Sequence, residues 1–420
     1  MSEQKDQIVT AESLREAFEG KQIHQDHNNE TGREKKNNRK FLVFNIIGSV
    51  GFAIGLTCLM VALIGLRSEQ KTMSFPKIPS AETADNSYSS LTGEPLESGD
   101  AKTAPTYCIQ MPNGTDGARP QSGLTEAGVI FEAIAEAGIT RFAAIYQDPA
   151  VAIIGPIRSL RIYYLEWDTP FDCTIVHAGG SGDALAAVAN GYKDLSEDYT
   201  YMYRGTHGGR LWNNLFTTSN YLRQYSNDHG YNTSDVKGFA RLTPEESDKA
   251  RVDAVATEKL EITKPTTEDT SKTSVPVPSV AINLGGWADF NINYNYDEKT
   301  NTYLRSYANG VAHQVYECAS EDLGEKNPED VCNLTQMTPS VVVAMVVEES
   351  RAADNYHEDI TTIGSGDAYV FQNGTAIKGA WQKTSAGDQI KFTDSEGKEI
   401  KLAPGQTFVT AVPKYGSIAY

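Results

Sequence analysis

GPIRSLRIYYLEWDTPFDCTIVHAGGSGDAL, residues 155–185, decides the fold of the first folded part of this 420-residue chain. After Pro156, Leu160, Tyr164 and Leu165 recur at helical spacing, so a helix is predicted to begin near the proline. FDCTIVH follows as a short apolar run, a strand, and DALAAVANGY reads as a second helix. Upstream, TYCIQM, GVIFEAIAEAGITRFAAIYQ and VAIIG alternate apolar runs with turns and are read as three strands. Strands and helices interleaved in this way make residues 105–255 an α+β or α/β domain.

Downstream the pattern changes. ITKPTTEDTSKTSVPVPS, residues 262–279, is rich in Thr, Pro and Ser, and residues 256–279 are read as a linker or exposed loop. From 280 to 420 nearly every segment reads as strand and hairpin, including SVVVAMVVEE, DAYVFQNGTAIKGAWQK and IKFTDSEGKEIKL. Asn373-Gly374, set between alternating runs, is the strongest hairpin signal in the chain. The second domain is therefore expected to be mostly β.

Phe41–Leu66 reads FLVFNIIGSVGFAIGLTCLMVALIGL, 26 residues without an ionisable side chain. About 20 apolar residues suffice for a helix to cross the hydrocarbon layer, so one transmembrane helix is predicted. Arg33, Lys35, Lys36, Arg39 and Lys40 crowd its leading flank, which puts residues 1–40, a polar and disordered tail, in the cytoplasm. Residues 67–104, rich in Ser, Thr, Glu, Pro and Gly, are read as a flexible stalk. The folded body is then extracytoplasmic. Residues 1–66 carry eight basic and eight acidic side chains, leaving 29 basic against 47 acidic beyond them, so the net charge of −18 belongs to the outer part. Such a surface repels phosphate backbones, and no nucleic-acid partner is expected.

Cys58 lies in the apolar run, and Cys108, Cys173, Cys318 and Cys332 lie outside it. Four cysteines allow three pairings. Cys108 with Cys173 and Cys318 with Cys332 is favoured, the second pair stapling EDLGEKNPEDV. No Cys/His spacing suits a zinc ion, and neither a metal nor a cofactor is expected.

Chemistry-bearing residues concentrate in the opening stretch. If the helix starts at Pro156, Arg158 and Arg161 share one face of its first turns, where cations oppose the helix dipole. Glu132, Glu136 or Asp172, or a bound anion, must then compensate. His177 ends a strand, and Gly179, Gly180 and Ser181 lead into the next helix, a turn suited to presenting N–H groups to an anion. HAGGS is not the G-x-S-x-G elbow, so serine catalysis is disfavoured. Glu132 can simply pair with Arg141, and His207 stands in a glycine-rich loop.

ARPQSGLTEAGVIFEA (118–133), GITRFAAIYQ (138–147), IGPIRSLR (154–161), HAGGS (177–181) and NLFTTS (214–219) together resemble the bacterial YerB-like lipoproteins, a domain-of-unknown-function (DUF) family of the cell envelope. The resemblance continues through YNYDEKTNTYLRSYANGVAH, GSGDAYVFQNG and LAPGQTFVTAVP. It implies two extracytoplasmic domains tethered to the membrane and brings no known reaction. This chain has no lipobox cysteine, so its anchor is expected to be the helix, and QMPNG, with Asn113, stands where members often carry an Asp-Asn pair. The leading expectation is a binding protein for an anionic or polar envelope ligand such as a cell-wall fragment, through Arg119, Glu132, Arg141, Arg158, Ser159, Arg161, His177, Gly179, Gly180, Ser181 and Asn214. The alternatives are an envelope hydrolase using His177 or Glu132, and a scaffold docking an unidentified membrane protein.

Overall fold

Every residue of β1 (Thr106–Pro112) is buried, because the strand runs through the middle of a sheet covered on both faces. The computed structural model describes residues 88–97, 99–206, 211–252, 275–320 and 322–420, which fall within one compact unit. The first half adds β2 (Val129–Glu136), β3 (Ile139–Gln147), β4 (Thr174–His177) and β5 (Lys193–Ser196). The second half supplies β6 (Ser279–Asn283), β7 (Ile292–Asp297), β8 (Thr302–Tyr307), β9 (Val341–Val347), β10 (Gly364–Gln372), β11 (Thr375–Lys383), β12 (Lys391–Asp394), β13 (Thr407–Pro413) and β14 (Ser417–Ala419).

The main sheet runs β12-β11-β10-β9-β13-β2-β3-β1-β4-β5, with Val275–Pro276 paired to β11 as an eleventh strand. A first half mixing strands and helices is thus joined to a mostly β second half by one seam, the parallel pairing of β2 with β13, in which Val129 faces Thr407 and Glu132 faces Thr410. Alternation along each strand sorts side chains to two faces. One apolar layer is continuous across the seam: Cys108, Phe131, Ile145, Val343 and Val409 pack there with helix α1 (Ile162–Asp168), whose Trp167 stacks on Phe131 at 5.4 Å. The opposite face is divided. Tyr107, Ile109 and Phe142 pack with Leu222 of α3 (Ser219–His229), whereas Val342 and Phe371 pack under the four-stranded sheet β8-β7-β6-β14.

Several sequence expectations are corrected. GVIFEAIAEAGITRFAAIYQ is two strands, joined by a turn in which Ala137 and Gly138 have φ of 50° and 78°. VAIIG forms no strand among the described residues, although Val151–Ile154 are buried and Ile154 exchanges backbone bonds with Thr217. The helix begins at Ile162 and not near Pro156. The intervening backbone is already engaged: Arg158 N donates to Gln110 O and Leu160 N to Gly179 O, while Ala178 N and Ser181 N donate to Arg158 O and Leu160 O. The second helix, α2 (Gly182–Val188), starts after this glycine turn, where Gly179 has φ of 68°. Of the expected stalk, residues 88–97 and 99–104 are described, and Leu91 is 2% exposed inside the core. The end of the expected linker belongs to the sheet through Val275–Pro276.

Disulfides join Cys108 to Cys173 and Cys318 to Cys332. The tail and the membrane segment Phe41–Leu66 lie outside the described residues, as do His207 and most of the Thr-rich piece. Among the described residues no helix is long and apolar enough to cross a membrane.

Candidate functional site

Glu136 at the end of β2 is a carboxylate shared by two buried arginines. Arg141 Nη2 donates to its Oε1 and Arg161 Nη2 to its Oε2 at 2.7 Å. Arg141 comes from β3, and its Nη1 also donates to Ser159 O at 2.8 Å. Arg161 is the N-cap of α1 and turns Nη1 back to Leu160 O at 2.9 Å. Burial opposes ionisation of Glu136, but Arg141 and Arg161 outweigh it and hold the carboxyl below its usual range. For Arg141 burial prevails, and together with repulsion from Arg161 it pushes the guanidinium down to about 10. Arg158 stands close enough to feel both Glu136 and Arg161, and burial lowers its pKa too. Two cations therefore share one buried carboxylate, and a third, Arg158, stands near it and near Asp116 without an ion pair among the described residues. Arg158 Nε, Arg161 Nε and the neighbouring Ser181 Oγ are buried without a hydrogen-bond partner among the described residues.

Two clefts open beside this cluster. One, of about 370 Å³, lies between Arg161, Ser181 and Asp183 on one wall and Asp354, His357 and Glu358 on the other. The second, of about 380 Å³, is lined by Arg158, Glu197, Arg204, Trp212 and Leu215. Arg204 is engaged by Glu197 and Asn214, and Asp116 accepts from Trp212 Nε1 at 3.0 Å.

The remaining sequence candidates fall elsewhere. Glu132 does not pair with Arg141; it is fully buried at the seam, where Arg305 Nη2 donates to it at 2.8 Å. Asn113 Nδ2 and Thr140 Oγ1 complete its other oxygen at 3.2 and 2.9 Å. Arg305 Nη1 can only donate, so His313 Nδ1 accepts and the ring proton sits on Nε2, facing Gln121 Oε1 at 3.3 Å. Burial, reinforced by Arg305 and Arg119, pushes His313 well below its ordinary value, in keeping with that neutral form. Arg119 closes the network, lying 3.7 Å from the Tyr307 ring centroid and donating to Asn113 Oδ1 at 2.8 Å. His177 is buried, with Nδ1 2.7 Å from Gly179 O and Nε2 2.9 Å from Asp194 Oδ1, so both ring nitrogens are used in tying the glycine turn to β5. Asn214 bonds Gly205 O at 2.7 Å and Arg204. Asp172, the third proposed compensator of the arginines, pairs with Lys193 instead.

The structure thus gathers Arg141, Arg158, Ser159, Arg161 and the Gly179–Ser181 turn, holds His177 against that turn with both ring nitrogens occupied, and places Arg119 with Glu132 at the seam and Asn214 against Arg204. Sequence reading missed Arg305, and also Asp354, His357 and Glu358, which come from the other half of the chain. Nothing local marks those residues. Their role follows from a loop laid against β2 by the bridge between Glu136 and His357.

In comparison with known proteins, residues 91–232 match the family model described as "Protein of unknown function (DUF3048) N-terminal domain" and residues 282–409 its C-terminal counterpart. Among curated proteins, "Putative lipoprotein YerB" of Bacillus subtilis (strain 168) is 27% identical over 337 residues, spanning 79% of this chain and 88% of that protein. The crystal structure of YerB from Bacillus subtilis shares the fold with a TM-score of 0.60 at 23% identity, covering 79% of this chain and 99% of that one. With both domain models matched in order across most of the described body, the chain belongs to the DUF3048 family.

Proposed function

We propose that this protein is a membrane-attached, extracytoplasmic binding protein that captures an anionic or polar envelope ligand on the Arg158 and Arg161 side of its first domain. The location is supported by two disulfides, which persist in oxidising compartments, by the relationship to a protein whose name says lipoprotein, and by the apolar run at Phe41–Leu66. The ligand reading is carried by one observation: Arg141 and Arg161 share the single carboxylate of Glu136 with Arg158 close by, and Arg158 and Arg161 each keep a buried Nε without a partner among the described residues. A buried donor left unpaired costs about 1–3 kcal/mol, more if charged, and an incoming oxyanion removes that cost. In a strongly acidic chain such a cluster also concentrates anions locally.

An acid or base role for His177 or Glu132 is not favoured by their geometry, since one has both nitrogens occupied and the other is sealed in an ion pair. The test is titration of the detergent-solubilised full chain with wall glycan fragments and phosphorylated polymers. Arg158 has no side-chain hydrogen bond among the described residues, so Arg158→Ala is expected to leave the melting temperature nearly unchanged while weakening binding at least tenfold. Unchanged binding in both Arg158→Ala and Arg161→Ala refutes the proposal.

A further inference from the structure

The cleft beside Arg161 has walls of opposite character. On the first-domain side, Arg161 and Ser181 are 4% and 7% exposed, and Arg161 Nε and Ser181 Oγ are buried without partners among the described residues. Both residues line the cleft. A carboxylate placed there supplies an acceptor to each. The facing wall is a loop that holds its own shape: Ala352 N donates to His357 O at 2.8 Å, and Asp354 accepts from the backbone N–H of Tyr356 and His357, each at 2.9 Å. This wall presents Asp354, Glu358 and Asp359, with one basic partner for each of the first two: His357 bonds Asp354, and Arg351 stands 3.7 Å from Glu358. Burial raises the Glu358 carboxyl, and although Arg351 opposes this, the charges of Glu136 and Asp354 reinforce it. With three carboxyl groups against Arg351 and His357, that wall carries an excess of acidic groups. Gly182, also on the cleft, leaves open space where a Cβ would stand.

We infer that this cleft binds a small zwitterion, an amino acid or dipeptide, whose carboxylate meets Arg161 and Ser181 and whose ammonium meets Glu358 and Asp354. A volume of about 370 Å³ lies in the range of small-molecule sites. The inference rests on the proposed anion-binding role of Arg161 and narrows it: the ligand carries a positive end as well, and the second domain reads it.

The test is calorimetric titration of the detergent-solubilised full chain with alanylalanine in its L,L and D,D forms, and with two analogues that each lack one charge, N-acetyl-alanylalanine and alanylalanine amide. At least one free dipeptide is expected to bind, and each capped analogue to bind at least tenfold more weakly. Glu358→Gln is expected to erase the preference for the free amine, and Ser181→Ala to weaken the free dipeptide and the N-acetyl form alike. Gly182→Leu adds a bulky apolar side chain at a cleft-lining position without altering charge and is expected to abolish dipeptide binding, with thermal melting confirming that the variant is folded. Equal affinity for free and N-acetylated forms, absence of dipeptide binding, or binding retained in folded Gly182→Leu overturns the inference. If phosphorylated polymers still bind in an Arg158-dependent way in those cases, the broader anion-binding reading stands and only the zwitterion is lost.

Discussion

Replacing Asp168 by Asn is expected to make the fold more stable at neutral pH than at pH 5, relative to the wild type. Asp168 closes α1 and is inaccessible to solvent, as is Gln110 of β1, whose Nε2 donates to Asp168 Oδ2 at 2.9 Å. The other oxygens of the pair, Asp168 Oδ1 and Gln110 Oε1, are both buried without a partner among the described residues. One proton on Oδ1 would satisfy both at once, turning the pair into a ring of two hydrogen bonds. Burial pushes the carboxyl well above its ordinary value, opposed only by the Gln110 bond, as that protonated form requires. The sign follows: the folded state keeps a proton that the unfolded chain releases near pH 4, so this stability is fully present below that pH and is lost as pH rises towards the folded pKa. The loss amounts to about 1.4 kcal/mol per pH unit. Asparagine supplies an N–H where the acid supplies an O–H and never ionises. Between pH 5 and pH 7 the variant should therefore gain up to about 3 kcal/mol on the wild type. Urea unfolding at the two pH values, followed by Trp fluorescence with Trp167 buried beside the pair, measures the difference. A variant whose offset from the wild type is the same at both pH values refutes the protonated pair.

Glu132→Gln leaves Arg305 without its carboxylate at the seam and should cost about 3–5 kcal/mol in urea unfolding. The doubly apolar Glu132→Leu with Arg305→Met should recover most of that, and a loss below about 1 kcal/mol for the single variant would show that the pair does not hold the halves together. The disulfides are expected to rank by loop length: losing Cys108–Cys173, with a separation of 65, should cost about 4 kcal/mol, and losing Cys318–Cys332, with a separation of 14, about 3 kcal/mol. Thermal melting of the two double Cys→Ser variants decides, and the reverse order contradicts the chain-entropy account.

What was legible in the sequence was local. Asn373 and Gly374 both adopt positive φ, 53° and 70°, as their residue types predict for a tight hairpin. FDCTIVH and DALAAVANGY give their strand and helix, and the two cysteine pairings are the favoured ones, one within the first domain and one stapling a polar excursion. Ala137-Gly138 turns a hairpin with a less telling residue pair, so the sequence reads as one strand where the chain forms two. The helix start was misplaced because Leu160 fits a helical period, while the bonds that keep Arg158–Leu160 extended come from β1 and from Gly179, outside the window. Leu91 is a single apolar residue in a polar stretch, and only its contacts in the folded chain mark it as core. In the site, the arginines and the glycine turn could be picked out from one segment. Their partners could not: Glu132 meets Arg305 across 173 residues, and the facing wall of the cleft lies some 190 residues from Arg161.

The seam between β2 and β13 bears on how the chain comes to be folded. Residues 407–413 lie between β9 and β2, at the centre of the sheet, so neither half can finish its inner edge until the last strand but one has arrived. A chain made from its N-terminus onward therefore carries two unclosed edges until synthesis is nearly complete, with Val129–Glu132 and Val341–Val347 exposed to wrong partners until the end. Folding is then slow and highly non-local, its final step a strand sliding into a slot already lined on both sides. Shortening the protein from its C-terminus should accordingly leave open-edged, aggregation-prone material in place of a smaller folded domain.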